Sequence, residues 1–305
     1  MIRLLTVLML GGLSAQAQTI TETFGSGANQ FSIDFVQIGN PGNAADDTGF
    51  GSVAYVYNLG KFEISRDQIE KANSAGGLGL TLADMTSSGG NGVNRPATGL
   101  SWYEAAKFVN YLNTSQNRQV AYSFDGGGNF QLWGAGHYSG TNQYRHKDAY
   151  YFLPSLDEWY KGAYGSLNGT WHDFTTGSDS VPIKVISGTL AGTAVFGHGT
   201  STGPADITNS GGDSSFGTMA QGGNVFEWTE SAYDGVNDSA SEGRSRRGGS
   251  WMDGSNGLLA SYHESITPTA EAIMYGFRIA SVPEPSSLSL LLAGGAVLMA
   301  GRRKS

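Results

Sequence analysis

The sequence predicts a mixed fold of short strands and short capped helices joined by long irregular loops. Three observations predict it. The 305 residues include 46 glycines, about twice average usage, and only 14% are charged, which together favour turns over long helix. One early segment alternates apolar and polar residues as a half-buried strand does. Three segments carry Ser followed three residues later by Glu or Gln, the capping box that opens a helix.

In chain order, the first feature is an export signal over residues 1–17. Arg3 supplies the positive start, residues 4–13 the apolar stretch and Ala15-Gln16-Ala17 the small-residue cleavage site, leaving Gln18 as the mature N-terminus. Phe31-Ser32-Ile33-Asp34-Phe35-Val36 reads as the half-buried strand, and Gly39-Asn40-Pro41-Gly42-Asn43 forces a turn after it. A second strand is expected over residues 53–57. Ser65 with Gln68 opens a short helix, with Ile64 placed to staple onto Ile69. Ser101 with Glu104 opens the next, where Trp102, Ala105, Val109 and Leu112 recur at helical spacing to about Asn113. Ser155 with Glu158 opens a third, carrying Trp159, Tyr160 and Ala163 and stopping near Gly165. Residues 123–140 and 165–212 read as long surface loops with a few short strands.

At the far end stand Val282-Pro283-Glu284-Pro285, an apolar run over residues 288–300 and Arg302-Arg303-Lys304. The run is shorter than the roughly 20 residues of a comfortable membrane span, but the basic cluster holds its end in the cytoplasm. The domains are therefore a signal (1–17), a main domain (18–281) and a sorting tail with a short transmembrane segment (282–305). A net charge of −8 argues against nucleic acid, because no basic stripe exists to neutralise phosphates. There is no cysteine, so an exported chain cannot use disulfides although its compartment would permit them.

Gly223-Asn224-Val225-Phe226-Glu227-Trp228, Arg247-Gly248-Gly249-Ser250-Trp251 and Gly276-Phe277-Arg278 follow Gly60-Lys61-Phe62-Glu63-Ile64 and the two tryptophan-bearing helices in a fixed order. That order resembles the formylglycine-generating enzyme (sulfatase-modifying factor) family, from about residue 31 to residue 280. The resemblance implies an α+β, C-type-lectin-like fold with low regular secondary structure and glycine-rich loops. It makes Gly60 to Ile64 the family's opening strand, and it puts Phe152 where the family usually has arginine. Trp102, Trp159, Trp228 and Trp251 lie inside the motifs and read as core. The tail resembles the PEP-CTERM sorting signal, which implies an exosortase and export machinery as partners, transient tethering to the inner membrane and delivery to the surface or matrix of a Gram-negative bacterium.

The family's enzymes bind copper(I) through two cysteines, whose positions fall here on Asp253 and Leu258. Neither replaces a soft thiolate, so copper and formylglycine generation are not expected and no catalytic residue is assigned. His137, His146, His172, His198 and His263 are scattered through loops and read as surface or loop histidines, not as ligands of a two-histidine, one-carboxylate iron site. Ser250 lacks a nucleophile elbow, Asp157 with Glu158 reads as helix capping, and Gly76-Gly77-Leu78-Gly79 lacks the lysine of a phosphate loop. The resemblance implies a calcium site at Gly223, Val225 and Glu227, weakened because Ala220 stands where an acidic or amide residue is common. The other reading of Glu227 is a carboxylate salt-bridged within the core. The face that holds the active site in the enzymes would carry Asp253, Ser255, Asn256, Tyr262 and His263, candidates for binding sugar or peptide. The function expected is a non-catalytic binding or structural module of the envelope or matrix, linked to exopolysaccharide or a surface protein. The alternative is an enzyme of another class on the same scaffold, such as a metal-dependent oxidoreductase.

Overall fold

The alternating segment at the front becomes the second strand of a five-stranded sheet, with Phe31, Ile33 and Phe35 buried and Ser32 exposed. The computed structural model describes residues 19–283. The expected export signal and the sorting tail beyond Pro283 lie outside them. Antiparallel pairing gives the sheet the order β1 (Thr19–Phe24), β2 (Phe31–Ile38), β3 (Tyr57–Gly60), β13 (Ala280–Ser281) and β6 (Tyr151–Phe152). The second strand is thus Tyr57–Gly60, not residues 53–57. Val53 is diverted by the preceding turn: its carbonyl accepts from the Gly42 N–H, so that stretch bonds a loop and not a neighbouring strand. Gly60 to Ile64 is likewise not a strand beyond Gly60, although Lys61 and Ile64 still donate to the carbonyls of Asp34 and Phe277.

All three capping boxes form. Ser65 and Gln68 cap α1 (Arg66–Gly76), Ser101 and Glu104 cap α2 (Trp102–Ser115), and Ser155 and Glu158 cap α3 (Leu156–Tyr164). Gly77, at φ 62°, ends α1 in the left-handed conformation that glycine adopts without a Cβ penalty. The glycine run there is a helix stop. Among the described residues no helix is long and apolar enough to cross a membrane.

The second sheet runs β11 (Glu264–Ile266), β10 (Arg244–Arg247), β9 (Phe226–Ala232), β12 (Tyr275–Gly276), with β9 and β12 parallel and the other pairs antiparallel. Two small pairs, β4 (Ser123–Phe124) with β5 (Phe130–Gln131) and β7 (Ile183–Lys184) with β8 (Thr193–Ala194), interrupt the long loops. The architecture is α+β with little regular structure.

Aromatic side chains join the layers. The four motif tryptophans are at most 1% exposed. Trp102 on α2 donates its indole N–H to the Thr229 carbonyl (2.9 Å), and Trp228 on β9 donates to the Leu100 carbonyl before α2 (2.9 Å). These reciprocal bonds satisfy the polar end of each buried indole and pin α2 to β9. Phe130 packs edge-on to Trp102 at 5.0 Å between ring centres, so the glycine-rich loop contributes core as well as surface.

On α3, Gly162 lies where a Cβ would overlap the fully buried Leu59 side chain of β3. Alanine should gain about 1 kcal/mol in helix propensity but cost about 1–3 kcal/mol in overpacking. We therefore expect Gly162→Ala to lower stability in urea unfolding, the reverse of its effect in an exposed helix.

Candidate functional site

Arg278 follows the turn from β12 toward β13 and is fully buried. Its Nε and Nη2 donate to Oε2 and Oε1 of Glu227 on β9, both at 2.6 Å, and Trp159 of α3 donates to the same Oε2 at 2.6 Å. The remaining guanidinium donors reach the carbonyls of Gly60 and Met219 at 2.8 and 2.7 Å. Glu63 lies beside this pair, accepting from the Asn224 amide at 2.6 Å and from the Val225 N–H. Burial, and then the charge of Glu227, hold the Glu63 carboxyl well above its ordinary range, with Arg278 opposing.

The same geometry bears on the two readings of Glu227. Glu227 would have to bring its charge to a cation, yet both its oxygens are held by a guanidinium that would repel one. Val225 faces Glu63 with its N–H, and Ala220 is a buried residue at φ 63° with no ligand atom to offer from its side chain. Glu227 takes the salt-bridged reading in this structure. Among the described residues no three His, Cys, Asp or Glu gather as metal ligands.

The two positions expected to correspond to thiols diverge. Leu258 is fully buried against Phe174, Ala194 and Phe196. Asp253 turns back to accept the Ser250 N–H at 3.0 Å and the Ser250 hydroxyl, which ties down the only serine of the Gly-Gly-Ser-Trp motif. Ser255 and Asn256 sit on the 3₁₀ turn Ser255–Leu258, with Asn256 exposed. Tyr262 and His263 lie just before β11. The Tyr262 carbonyl accepts from Arg247 and its hydroxyl bonds Glu264; burial and then that carboxylate push its pKa up to about 12. His263 stacks on the half-exposed Tyr233 ring at 5.0 Å and meets Phe50 edge-on, and burial followed by Arg247 lowers its pKa. The five candidates thus form two groups, a turn at 253–256 and an aromatic pair at 262–263.

Sequence reading missed a second charged cluster. Glu158, the capping residue of α3, and Glu230 of β9 are both fully buried, and Arg145 bridges them at 3.4 and 2.9 Å. Tyr55 donates to Glu158 at 2.7 Å; Tyr122 and Asn142 donate to Glu230 at 2.9 and 2.6 Å. Burial raises the Glu230 pKa against the pull of Arg145. Arg145 keeps its charge because Glu158 and Glu230 outweigh the burial that opposes it. Its guanidinium lies 3.8 Å over the Phe152 ring. The position where the resemblance puts an arginine is thus a phenylalanine ring covered by a guanidinium from another loop. A cleft of about 480 Å³ opens beside this cluster, walled by Tyr55, Asn142, Arg145, His146 and Lys147. His146 is a loop histidine as expected, but a buried one: it is 7% exposed, packs on Trp133 at 4.7 Å and lies 3.4 Å from the His137 ring nitrogen.

The family description "Sulfatase-modifying factor enzyme 1-like domain" matches residues 28–282. Solved structures share the fold. Treponema denticola variable protein 1 is 19% identical with a TM-score of 0.60, covering 87% of this chain and 99% of its own. CarF is 21% identical with a TM-score of 0.57, covering 83% and 99%. PvdO from Pseudomonas aeruginosa is 15% identical with a TM-score of 0.53, covering 86% and 98%. The search of curated proteins finds no match.

Arg278→Met should destabilise the protein by about 3–5 kcal/mol, because Glu227 would be left buried and unpaired. A double-mutant cycle with Glu227→Leu should recover part of that loss, read from chemical denaturation. The pH dependence has a definite sign at Glu63. A raised folded-state pKa means its contribution is fully present below the unfolded value of about 4.3 and is lost as pH rises through the folded value. Glu63→Gln should remove that decline, so the variant should gain on the parent chain in melting temperature as pH rises.

Proposed function

Because the chain belongs to the family of sulfatase-modifying factor enzyme 1-like domains, we propose that it uses the family scaffold without the family's thiol chemistry, as an exported binding or structural module of the cell envelope or matrix. The observation that carries this reading is Leu258, an aliphatic side chain sealed into an apolar cluster where a reactive thiol would have to meet oxygen and metal. Asp253 supports it, since its carboxylate is occupied by Ser250 and offers only hard oxygen to a soft cation. The absence of any cysteine removes the thiolates on which the family's copper(I) chemistry depends.

Binding falls to the surface around Asp253, Asn256, Tyr262 and His263. The stacked Tyr233 and His263 rings offer a half-exposed face to a sugar or peptide, and the polar turn at 253–256 offers hydrogen bonds beside it. The termini supply the address: export through the N-terminal signal, an exosortase acting near Pro283-Glu284-Pro285, and exopolysaccharide or a surface protein at the destination.

Two measurements test this. Incubated with a sulfatase-type cysteine peptide, copper and oxygen, the protein should yield no more formylglycine by mass spectrometry than copper alone. Turnover above that control would overturn the non-catalytic reading. The intact mass of the protein from its native host should lack residues 1–17 and the apolar run 288–300; a mature chain retaining that run would make it a permanent anchor.

A further inference from the structure

Lys161 lies in the last turn of α3 and is 2% exposed. Lysine is almost never so buried without a partner, because moving an ammonium out of water is costly. Its Nζ donates to the Asn40 carbonyl at 2.8 Å, and among the described residues no carboxylate pairs with it. The C-terminal end of α3 lends only the partial negative charge of a helix dipole. Burial alone lowers its pKa, to about 8, with no acidic side chain acting in the opposite direction. At neutral pH the group is a buried cation with one dipolar acceptor.

That cation lines a cleft of about 140 Å³, whose other walls include Asn40, Asn43, Gly165, Thr170 and Trp171. The Asn43 amide nitrogen is committed to the Ala44 and Gly51 carbonyls at 2.9 and 2.8 Å, which fixes that wall. Trp171 is half-buried, held against Tyr160 at 5.5 Å between ring centres. The cleft thus combines one unneutralised positive charge, an aromatic wall and rigid polar loops. No arginine lines it, so it lacks the bidentate fork that favours a doubly charged phosphate. One buried ammonium balances one negative charge.

We propose that this cleft is a binding site for a carboxylate, with the carboxylate on Lys161 and the ligand's carbon skeleton against Trp171. Two sources share this chemistry, a small free organic acid and a uronate residue of an acidic saccharide. The site is distinct from the surface around Asp253 and Tyr262, and it stands or falls independently of the non-catalytic reading.

Isothermal titration of the protein, purified as its host exports it, tests this with D-glucuronate, a short oligogalacturonide, acetate and methyl glucuronate ester as probes. Glucuronate or acetate should bind at pH 7, and the neutral ester should bind at least about tenfold more weakly, since one buried charge pair is worth at least about 1.4 kcal/mol. Tighter binding of the uronates than of acetate assigns the site to saccharide; equal binding assigns it to small acids. Affinity should fall between pH 7 and pH 9 as Lys161 loses its proton, and Lys161→Met should abolish binding while preserving the melting transition. The proposal is overturned if no acid binds at millimolar concentration, if the ester binds as well as the acid, or if affinity is unchanged at pH 9. The last two outcomes need no variant, so they decide the matter even if Lys161→Met fails to fold.

Discussion

The pairing of Arg278 with Glu227 is the contact through which the two sheets and α3 are fixed to one another. A buried ion pair is a poor source of net stability unless every donor and acceptor is met, because both ions must leave water. Here they are met. Glu227 takes two bonds from Arg278 and one from Trp159, and the guanidinium also reaches carbonyls at Gly60 and Met219. The pair therefore sets the position of β9, the exit of β3, the face of α3 and the loop at 219. The pairing specifies geometry more than it adds stability, and it explains why the motifs at 60, 159, 227 and 278 occur together.

The same charge pattern occurs twice on β9. Glu227 with Glu63 shares Arg278, and Glu230 with Glu158 shares Arg145. Each cluster holds two carboxylates and one arginine, so each relies on neutral donors to carry the excess negative charge: Asn224 in one, and Tyr55, Tyr122 and Asn142 in the other. Lys161 is the opposite case, a positive charge with no acid, and it lies on the same short helix as Glu158.

What was legible in the sequence is what short-range physics determines. Capping boxes bond over three residues, and all three helices begin where Ser65, Ser101 and Ser155 indicate. The alternation in residues 31–36 marks a sheet face directly. The strand expected at 53–57 failed because its carbonyl bonds a turn eleven residues earlier, which no local pattern reports. Arg145 was invisible for a similar reason: it reaches Glu158 and Glu230 from a loop with no regular periodicity. In the sequence Phe152 read only as the loss of one expected charge; the Arg145 guanidinium over its ring is a tertiary contact. At the candidate site, the identity of the residues at 253 and 258 was readable, but the sealing of Leu258 by Phe174 and Phe196 required tertiary structure.

The strand order of the first sheet carries a kinetic consequence. β13, at residues 280–281, lies between β3 and β6, while β1 and β2 come from the front of the chain. An interior place in the sheet is thus occupied by the last strand among the described residues. Until it arrives, β3 and β6 have no common neighbour, and Arg278 is not yet in place to meet Glu227. Such long-range closure is slow, since the entropy of a long loop is lost before its contacts form. A nascent chain of this topology cannot close its first sheet until residues 280–281 have been made.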